Sequence, residues 1–341
     1  MDCGPETSAK NAELSRRSAM KILVTGATGF IGGAAAKALA KRGHEVFGLA
    51  RSEDSAGRLR LAGITPVAGD FADSASLIKA ANEVEAIVST ASIGSLAGSA
   101  ETFAQDRDAI RAMLGAIEAT GKTLIFTSGS AVLGIVNGGE ATPNVFDEDV
   151  DLPLPPSVFA PASANVPPVM VEMFGAAMAA RVETEKEVAS ASGVRGIVMR
   201  PGLVYGHGGS YDLPGLIRMA RAQGVAPHLG SGATLQGYVH VDELAELYCL
   251  AVERAPAGAV LHGVAGEVSQ HELAAAVSRM IGAGDRTASL EFAEMFATGG
   301  PIGVSLSLNK RMSSEKTQRL LGWSPTRTDI LHDIKFGSYA I

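Results

Sequence analysis

Three glycines spaced three apart, Gly26, Gly29 and Gly32 in VTGATGFIG, stand between a run of β-branched residues and an alanine-rich helical stretch. A strand-to-helix turn of this kind offers free backbone N–H groups and the positive end of a helix dipole to an anion. Gly26 permits the tight turn, Gly29 lets backbone approach a pyrophosphate, and Gly32 lets the helix pack closely on the strand. With Thr28, Phe30 and Ile31 between the glycines, the loop is expected to bind a dinucleotide. The adenosine side of such a ligand is read at the end of the second strand, where LARSED places Arg51 and Ser52. Both can donate to a phosphate, whereas Glu53 and Asp54 fall slightly late and suit the start of the next helix. NADP is therefore the expected cofactor, with NAD the alternative.

Other chemistries find less support. The seven histidines are scattered and show neither HExxH spacing nor a clustered carboxylate partner, so no metal site is expected. The two cysteines, Cys3 in a polar tail and Cys249 in an apolar helical pattern, form neither a disulfide framework nor a thiolate site, which fits a reducing cytoplasm. A net charge of -7 lacks the basic excess that phosphate-backbone binding requires, and nucleic acid is not an expected partner. Residues 1–19 are polar, without the apolar segment of a secretory signal, and read as a disordered leader. No apolar run reaches the roughly 18 residues that a membrane span needs, so no membrane association is expected.

The elements that must position the glycine loop alternate in type. Strands are expected at 21–25, 45–50, 65–69, 86–90, 123–127 and 196–200, with helices near 30–42, 53–62, 74–82 and 101–119. That alternation predicts an α/β fold with a doubly wound, Rossmann-like parallel sheet whose ligands sit at the carboxyl ends of its strands. A dinucleotide-binding domain then spans 20–200, interrupted at 134–170 by a proline-rich excursion expected to act as a flap over the active site. Residues 201–341 read as a smaller substrate lobe interleaved with the last strands of the sheet. Helices are expected there near 213–223, 242–254, 269–282 and 313–321, and short strands near 226–229, 236–240 and 259–263.

Five ordered blocks, TGATGFIG, GDFAD, RPGLVYGHG, YVHVDELAE and SSEKTQRLLGWSPT, resemble the short-chain dehydrogenase/reductase superfamily in its extended, epimerase/dehydratase-like branch. The resemblance implies Asp70 and Phe71 beside the adenine, Ala91 and Ser92 near the ribose and pyrophosphate, and Pro201, Leu203 and Val204 near the nicotinamide. It also implies a tyrosine, with a lysine four residues later, as proton relay, and here the chain departs from the pattern. Sliding the family's helix onto FGAAMAARVETEKEVA puts Ala177 where tyrosine belongs and Arg181 where lysine belongs, and no tyrosine of the chain has a lysine four residues on. Gly129 likewise takes the place of the orienting hydroxyl, flanked by Ser128 and Ser130. Either serine could turn into the pocket, or both could bond their own loop. Arg181 could reach the nicotinamide ribose or a substrate carboxylate, or simply pair with Glu185 one turn on, while Glu183, Glu185 and Glu187 read as a solvated face.

Replacement donors are sought among Tyr205, His207, Tyr211, Asp212, Tyr238 and His240, with Tyr238 the first to test. The favoured function is an NADP-dependent oxidoreductase acting on a small, hydrophobic carbonyl or conjugated substrate, in which orientation supplies much of the rate. The alternative is a non-redox isomerase or lyase, or a nucleotide-sensing binding protein, on the same fold. A homodimer through helices near 101–119 and 171–191 is compatible with the resemblance.

Overall fold

The structure, a computed structural model, describes residues 19–93, 99–161 and 166–340. The leader up to residue 18, with Cys3, and positions 162–165 of the proline-rich stretch lie outside the described residues. The central sheet is built from β1 (Lys21–Thr25), β2 (Glu45–Ala50), β3 (Thr65–Ala68), β4 (Ala86–Ser89), β5 (Thr123–Thr127), β6 (Arg195–Pro201) and β10 (Val260–Gly263). Its order is β3-β2-β1-β4-β5-β6-β10, and every neighbouring pair is parallel. The order in which successive strands are added reverses between β1 and β4, so a ligand crevice opens there at the strands' carboxyl ends.

The strands read as unbroken apolar runs because both faces are covered. Successive side chains point to opposite faces, so Ile22 and Val24 join one core while Leu23 joins the other. Ile125 and its neighbours Leu124 and Phe126 divide in the same way. On the first face lie α1 (Phe30–Lys41) and α8 (Val241–Arg254), which bury Ala35, Ala36 and Leu39 against Leu244, Leu247 and Tyr248. The opposite face is covered by α3 (Ser74–Asn82), α4 (Ala100–Ala116) and the carboxyl end of α6 (Pro168–Ala189), with Leu77, Ile110, Met113 and Val188 in its core. The helix α2 (Glu53–Leu61) connects β2 to β3. Helix α6 starts at Pro168, earlier than the alanine-rich run suggests, because a first-turn proline loses no N–H that the helix would have bonded.

Residues after β6 build a second, smaller core. A three-stranded sheet of β7 (Leu203–Tyr205), β9 (Leu235–His240) and β11 (Gly266–Ser269) packs with α7 (Leu213–Gln223), α9 (Gln270–Met280) and α13 (Ile330–Phe336). Beside it, β8 (Ala226–Leu229) pairs with β12 (Thr287–Leu290), followed by α10 (Phe292–Gly299), α11 (Pro301–Leu306) and α12 (Glu315–Leu321). The strands β7, β11 and β12 and the helices α10, α11 and α13 lie outside the expected set. Each is short, and tertiary contacts rather than local propensity hold such segments.

The proline-rich excursion, which includes the four-residue helix α5 (Pro156–Phe159), is stitched down rather than hung free. Ile135 and Asn309 exchange backbone hydrogen bonds of 2.8 and 3.0 Å, and the N–H groups of Phe146 and Ser313 reach the carbonyls of Arg311 and Phe146. Buried Glu148 accepts from the Thr317 N–H at 2.8 Å and from its hydroxyl at 2.6 Å. These ties also fix the backbone on both sides of Lys310. Among the described residues no helix is long and apolar enough to cross a membrane.

Candidate active site

A cleft of about 410 Å³ runs from the glycine loop, along the ends of β4, β5 and β6, to the smaller lobe. Gly26 sits at φ +73°, the left-handed region that glycine occupies without strain, and an added Cβ would lie 2.8 Å from the Thr90 hydroxyl. At Gly32 an added Cβ would overlap the Gly26 carbonyl and lie 2.7 Å from its carbon. The strand ends beneath are pinned by Thr90 Oγ1 donating to the Thr25 carbonyl at 2.7 Å and by the Ala91 N–H reaching Thr25 Oγ1 at 3.3 Å. Gly29 caps α1 with no side-chain hydrogen bond, so the first N–H groups of the helix face the cleft without a protein acceptor from the cap. This cradle, which only glycine leaves open, fits a pyrophosphate.

Gly26, Gly29, Phe30, Ile31 and Gly32 line the cleft, as do Ser92, Pro201, Leu203 and Val204; Thr28 and Ala91 lie in the same loops without lining it. At the end of β2, where the adenosine side is expected, Arg51 is exposed. Ser52 is different: its hydroxyl caps α2, accepting from the Ser55 N–H at 3.2 Å while the Ser52 N–H donates to Ser55 Oγ. Ser52 is thus committed to the helix start and leaves Arg51 as the cation of this end. Glu53 pairs with Arg60 and Asp54 with Arg58, as first-turn residues of α2. Asp70 accepts from the Ala72 N–H at 2.9 Å in a local turn, and Phe71 packs against the sheet core.

At the other end, Ser128 and Ser130 both line the cleft and both are buried. The Ser128 Oγ has no hydrogen-bond partner among the described residues, which costs free energy unless a ligand supplies one. An added Cβ at Gly129 would meet nothing within 4 Å, so the missing side chain there widens the cleft. Arg181 does not pair with Glu185. Its guanidinium donates to the carbonyls of Thr127 at 2.7 Å and Ser128 at 3.1 Å, lies 3.8 Å from Asp106, and rests against the rings of Phe103 and Phe126. Burial lowers its pKa from the ordinary arginine value, with Asp106 and Glu185 opposing the shift. Arg181 thus clamps the end of β5 while presenting one edge to the cleft. One turn earlier, Ala177 is buried and lines a second, apolar chamber of about 490 Å³ with Met170, Phe174 and Phe292.

Glu185 is not on a solvated face. It is buried and holds Arg200 in a forked pair, Oε2 accepting from Nη2 at 2.6 Å, while Arg200 also contacts His262 Nε2 at 3.3 Å. His262 Nδ1 donates to the Ser313 carbonyl at 2.8 Å, and burial followed by the Arg200 charge lowers its pKa to about 3. Glu183 and Glu187 do face solvent, paired with Arg107 and Arg111 of α4.

Tyr238 is turned away from the cleft. Its hydroxyl donates to the Thr328 carbonyl at 2.7 Å, its ring meets Tyr205 edge-on in the smaller lobe's core, and burial raises its pKa. Tyr205 is packed there too, donating to the Arg327 carbonyl. His207 meets His240 and Asp242 from a distant turn: His207 Nε2 lies 3.0 Å from Asp242, and His240 Nδ1 accepts from the Asp242 N–H. Arg327 already sits on that carboxylate, so the cluster is a balanced ion pair at the start of α8. Of the alternative donors, Tyr211 and Asp212 line the cleft. A cleft residue that the sequence does not single out is Lys310, next to Arg311 in SLNKRM. It is buried, and its Nζ donates to the Ser305 hydroxyl at 3.1 Å. Burial lowers the pKa of Lys310 against the pull of Asp212, and burial raises that of Asp212 against Lys310 and Ser305.

The model of the NAD dependent epimerase/dehydratase family matches residues 22–262. An uncharacterised protein of Schizosaccharomyces pombe is 33% identical over 323 residues, 94% of this chain and 100% of that one. A 2-alkyl-3-oxoalkanoate reductase of Stenotrophomonas maltophilia is 28% identical over 259 residues, covering 74% of this chain and 71% of the reductase. Among solved structures, a dTDP-glucose 4,6-dehydratase mutant from Streptomyces venezuelae superposes with a TM-score of 0.66 at 20% identity, over 93% of this chain and 94% of that one. That likeness is one of fold.

Proposed function

The chain belongs to the NAD dependent epimerase/dehydratase family, and from that premise we propose that it is an NADP-dependent reductase of a small hydrophobic carbonyl or conjugated substrate. The observation that carries this reading is a single cleft joining the glycine cradle to the unpartnered hydroxyl of Ser128. NADPH, when bound, supplies the hydride. The chain's own residues bind and orient. The cradle at Gly26 and Gly32 holds the pyrophosphate, Arg51 meets the 2′-phosphate, and Leu203 and Val204 form an apolar wall for the nicotinamide. Ser128 Oγ donates to the substrate oxygen, and Arg181 keeps it in place by gripping the carbonyls of Thr127 and Ser128. Orientation of this kind can account for a large share of the barrier.

The apolar chamber beside Ala177 supports a hydrophobic substrate, as does the name of the Stenotrophomonas maltophilia relative, a reductase of 2-alkyl-3-oxoalkanoates. A second reading, a non-redox isomerase or lyase or a nucleotide sensor, is favoured by one observation, alanine at position 177 in place of the family's tyrosine. The cytoplasm and a homodimer through α4 and α6 belong to the proposal as setting and assembly. The test is NADPH oxidation by the purified protein against a panel of enones, quinones, ketones and aldehydes. Turnover of at least one is expected, and nucleotide binding without turnover of any would favour the second reading.

A further inference from the structure

We propose that Lys310 is the proton donor of this cleft: its ammonium, held by Ser305 and set across from Asp212, gives a proton to the substrate oxygen. The inference rests on the reductase reading above. Three observations carry it. Lys310 and Asp212 both line the cleft that contains the glycine cradle and Ser128, and both are buried. No ion pair joins them among the described residues; Lys310 Nζ donates to the Ser305 hydroxyl at 3.1 Å, and the Lys310 charge and Ser305 both oppose the burial that raises the Asp212 pKa. Asp212 occupies the cap position of α7 without capping it, and its Oδ1 has no hydrogen-bond partner among the described residues. A carboxylate withdrawn from its helix and left with an open lone pair, and a buried amine with donors to spare, offer an oxygen-bearing ligand an acceptor and a donor on the wall of one cleft.

The chemistry balances. The C=O π bond breaks as the hydride from NADPH adds to carbon, and Lys310 supplies the proton that completes the O–H bond. NADP⁺ and a neutral amine remain, and solvent returns one proton to the amine by way of Ser305 and Asp212. Burial favours release, since the neutral amine is the form a dry site prefers. Asp212 and Ser305 are positioning residues in this scheme.

Two variants separate the roles that a buried cation can play. Lys310→Met removes charge and proton together, while Lys310→Arg keeps a charge that cannot be given up as a proton. With any acceptor that the wild type turns over, both should lower kcat by about 100-fold or more, the usual scale of general acid catalysis. The NADPH Kd should be unchanged. Near-normal kcat in Lys310→Arg, or a loss confined to KM, would assign Lys310 to anchoring and overturn the proposal. Should Lys310→Met fail to fold, Lys310→Arg, which keeps the buried charge opposite Asp212, carries the kcat reading alone. A readout independent of turnover is reductive tagging of the full chain with hexanal and cyanoborohydride at neutral pH, mapped by mass spectrometry. Lys310 should be tagged faster than exposed Lys37; tagging of Lys37 alone would show that no carbonyl reaches Lys310 and would overturn the proposal. If the wild type turns over no acceptor, the reductase reading falls and the proton-donor role with it; normal turnover in both Lys310 variants overturns the proton-donor role alone.

Discussion

Replacing Gly32 by alanine adds one methyl group at the point where α1 leans on the turn after β1. The new Cβ would overlap the Gly26 carbonyl and stand 2.7 Å from its carbon, whereas carbon atoms rest at roughly 3.5–4.0 Å. The turn or the helix must therefore yield by about 1 Å. Backbone cannot swing aside as a long side chain would, so overpacking of about 1–3 kcal/mol is expected in the free protein. The same displacement re-aims the N–H groups at the start of α1. Losing one charge-assisted hydrogen bond to a pyrophosphate costs about 1.5–3 kcal/mol, which raises the NADPH Kd by roughly 10- to 100-fold. Isothermal titration of wild type and Gly32→Ala with NADPH, alongside urea unfolding, reads both effects. A variant that folds normally and binds NADPH within about twofold of wild type would refute the assignment of this turn as the pyrophosphate cradle.

Arg51→Ala should weaken NADPH by about tenfold or more while leaving NADH unchanged, because only the 2′-phosphate loses its partner; equal losses for both nucleotides in a binding titration would contradict the NADP preference. Glu185→Gln strands the Arg200 charge in the core and should cost about 3–5 kcal/mol in urea unfolding, with Glu185→Gln plus Arg200→Met recovering much of it. His262 has a folded pKa near 3, below its unfolded value of 6.5, so its contribution to stability is complete above pH 6.5 and is lost as pH falls toward 3. His262→Gln should accordingly show a shallower loss of unfolding free energy than wild type between these limits. Tyr238→Phe removes a hydroxyl bonded to the Thr328 carbonyl and should cost about 1 kcal/mol of stability with turnover unchanged; a collapse in kcat would return Tyr238 to the catalytic machinery.

The sheet was readable in the sequence because its strands are buried on both faces and its glycine turn has one geometric purpose. Ile22, Leu23 and Val24 serve two cores at once, and that demand writes itself as an apolar run. The same holds at the glycine turn, where an added Cβ at Gly32 would overlap the Gly26 carbonyl. The substrate end was less legible. Ser128 and Arg181 could be located through the family's pattern, yet their partners could not: that Arg181 grips two carbonyls and Asp106 instead of Glu185 depends on where α4 passes. Tyr238 faces inward because β9 pairs with β7 and β11, a register that three- and four-residue strands do not announce. Lys310 joins Asp212 across 98 positions of chain, through a segment tied down by the proline-rich excursion. Sequence periodicity carries no trace of such a meeting.

The central claim, reduction by NADPH in the cleft between the glycine turn and Ser128, is tested most directly by following a label. NADPH deuterated at C4 of the nicotinamide is offered with an acceptor that the protein consumes, and the product is examined by mass spectrometry. One deuterium on the product carbon and one NADP⁺ formed per product are expected, with both abolished by Gly32→Ala at low nucleotide concentration. Product formed without deuterium and without loss of NADPH would contradict it and leave the isomerase or lyase reading in its place.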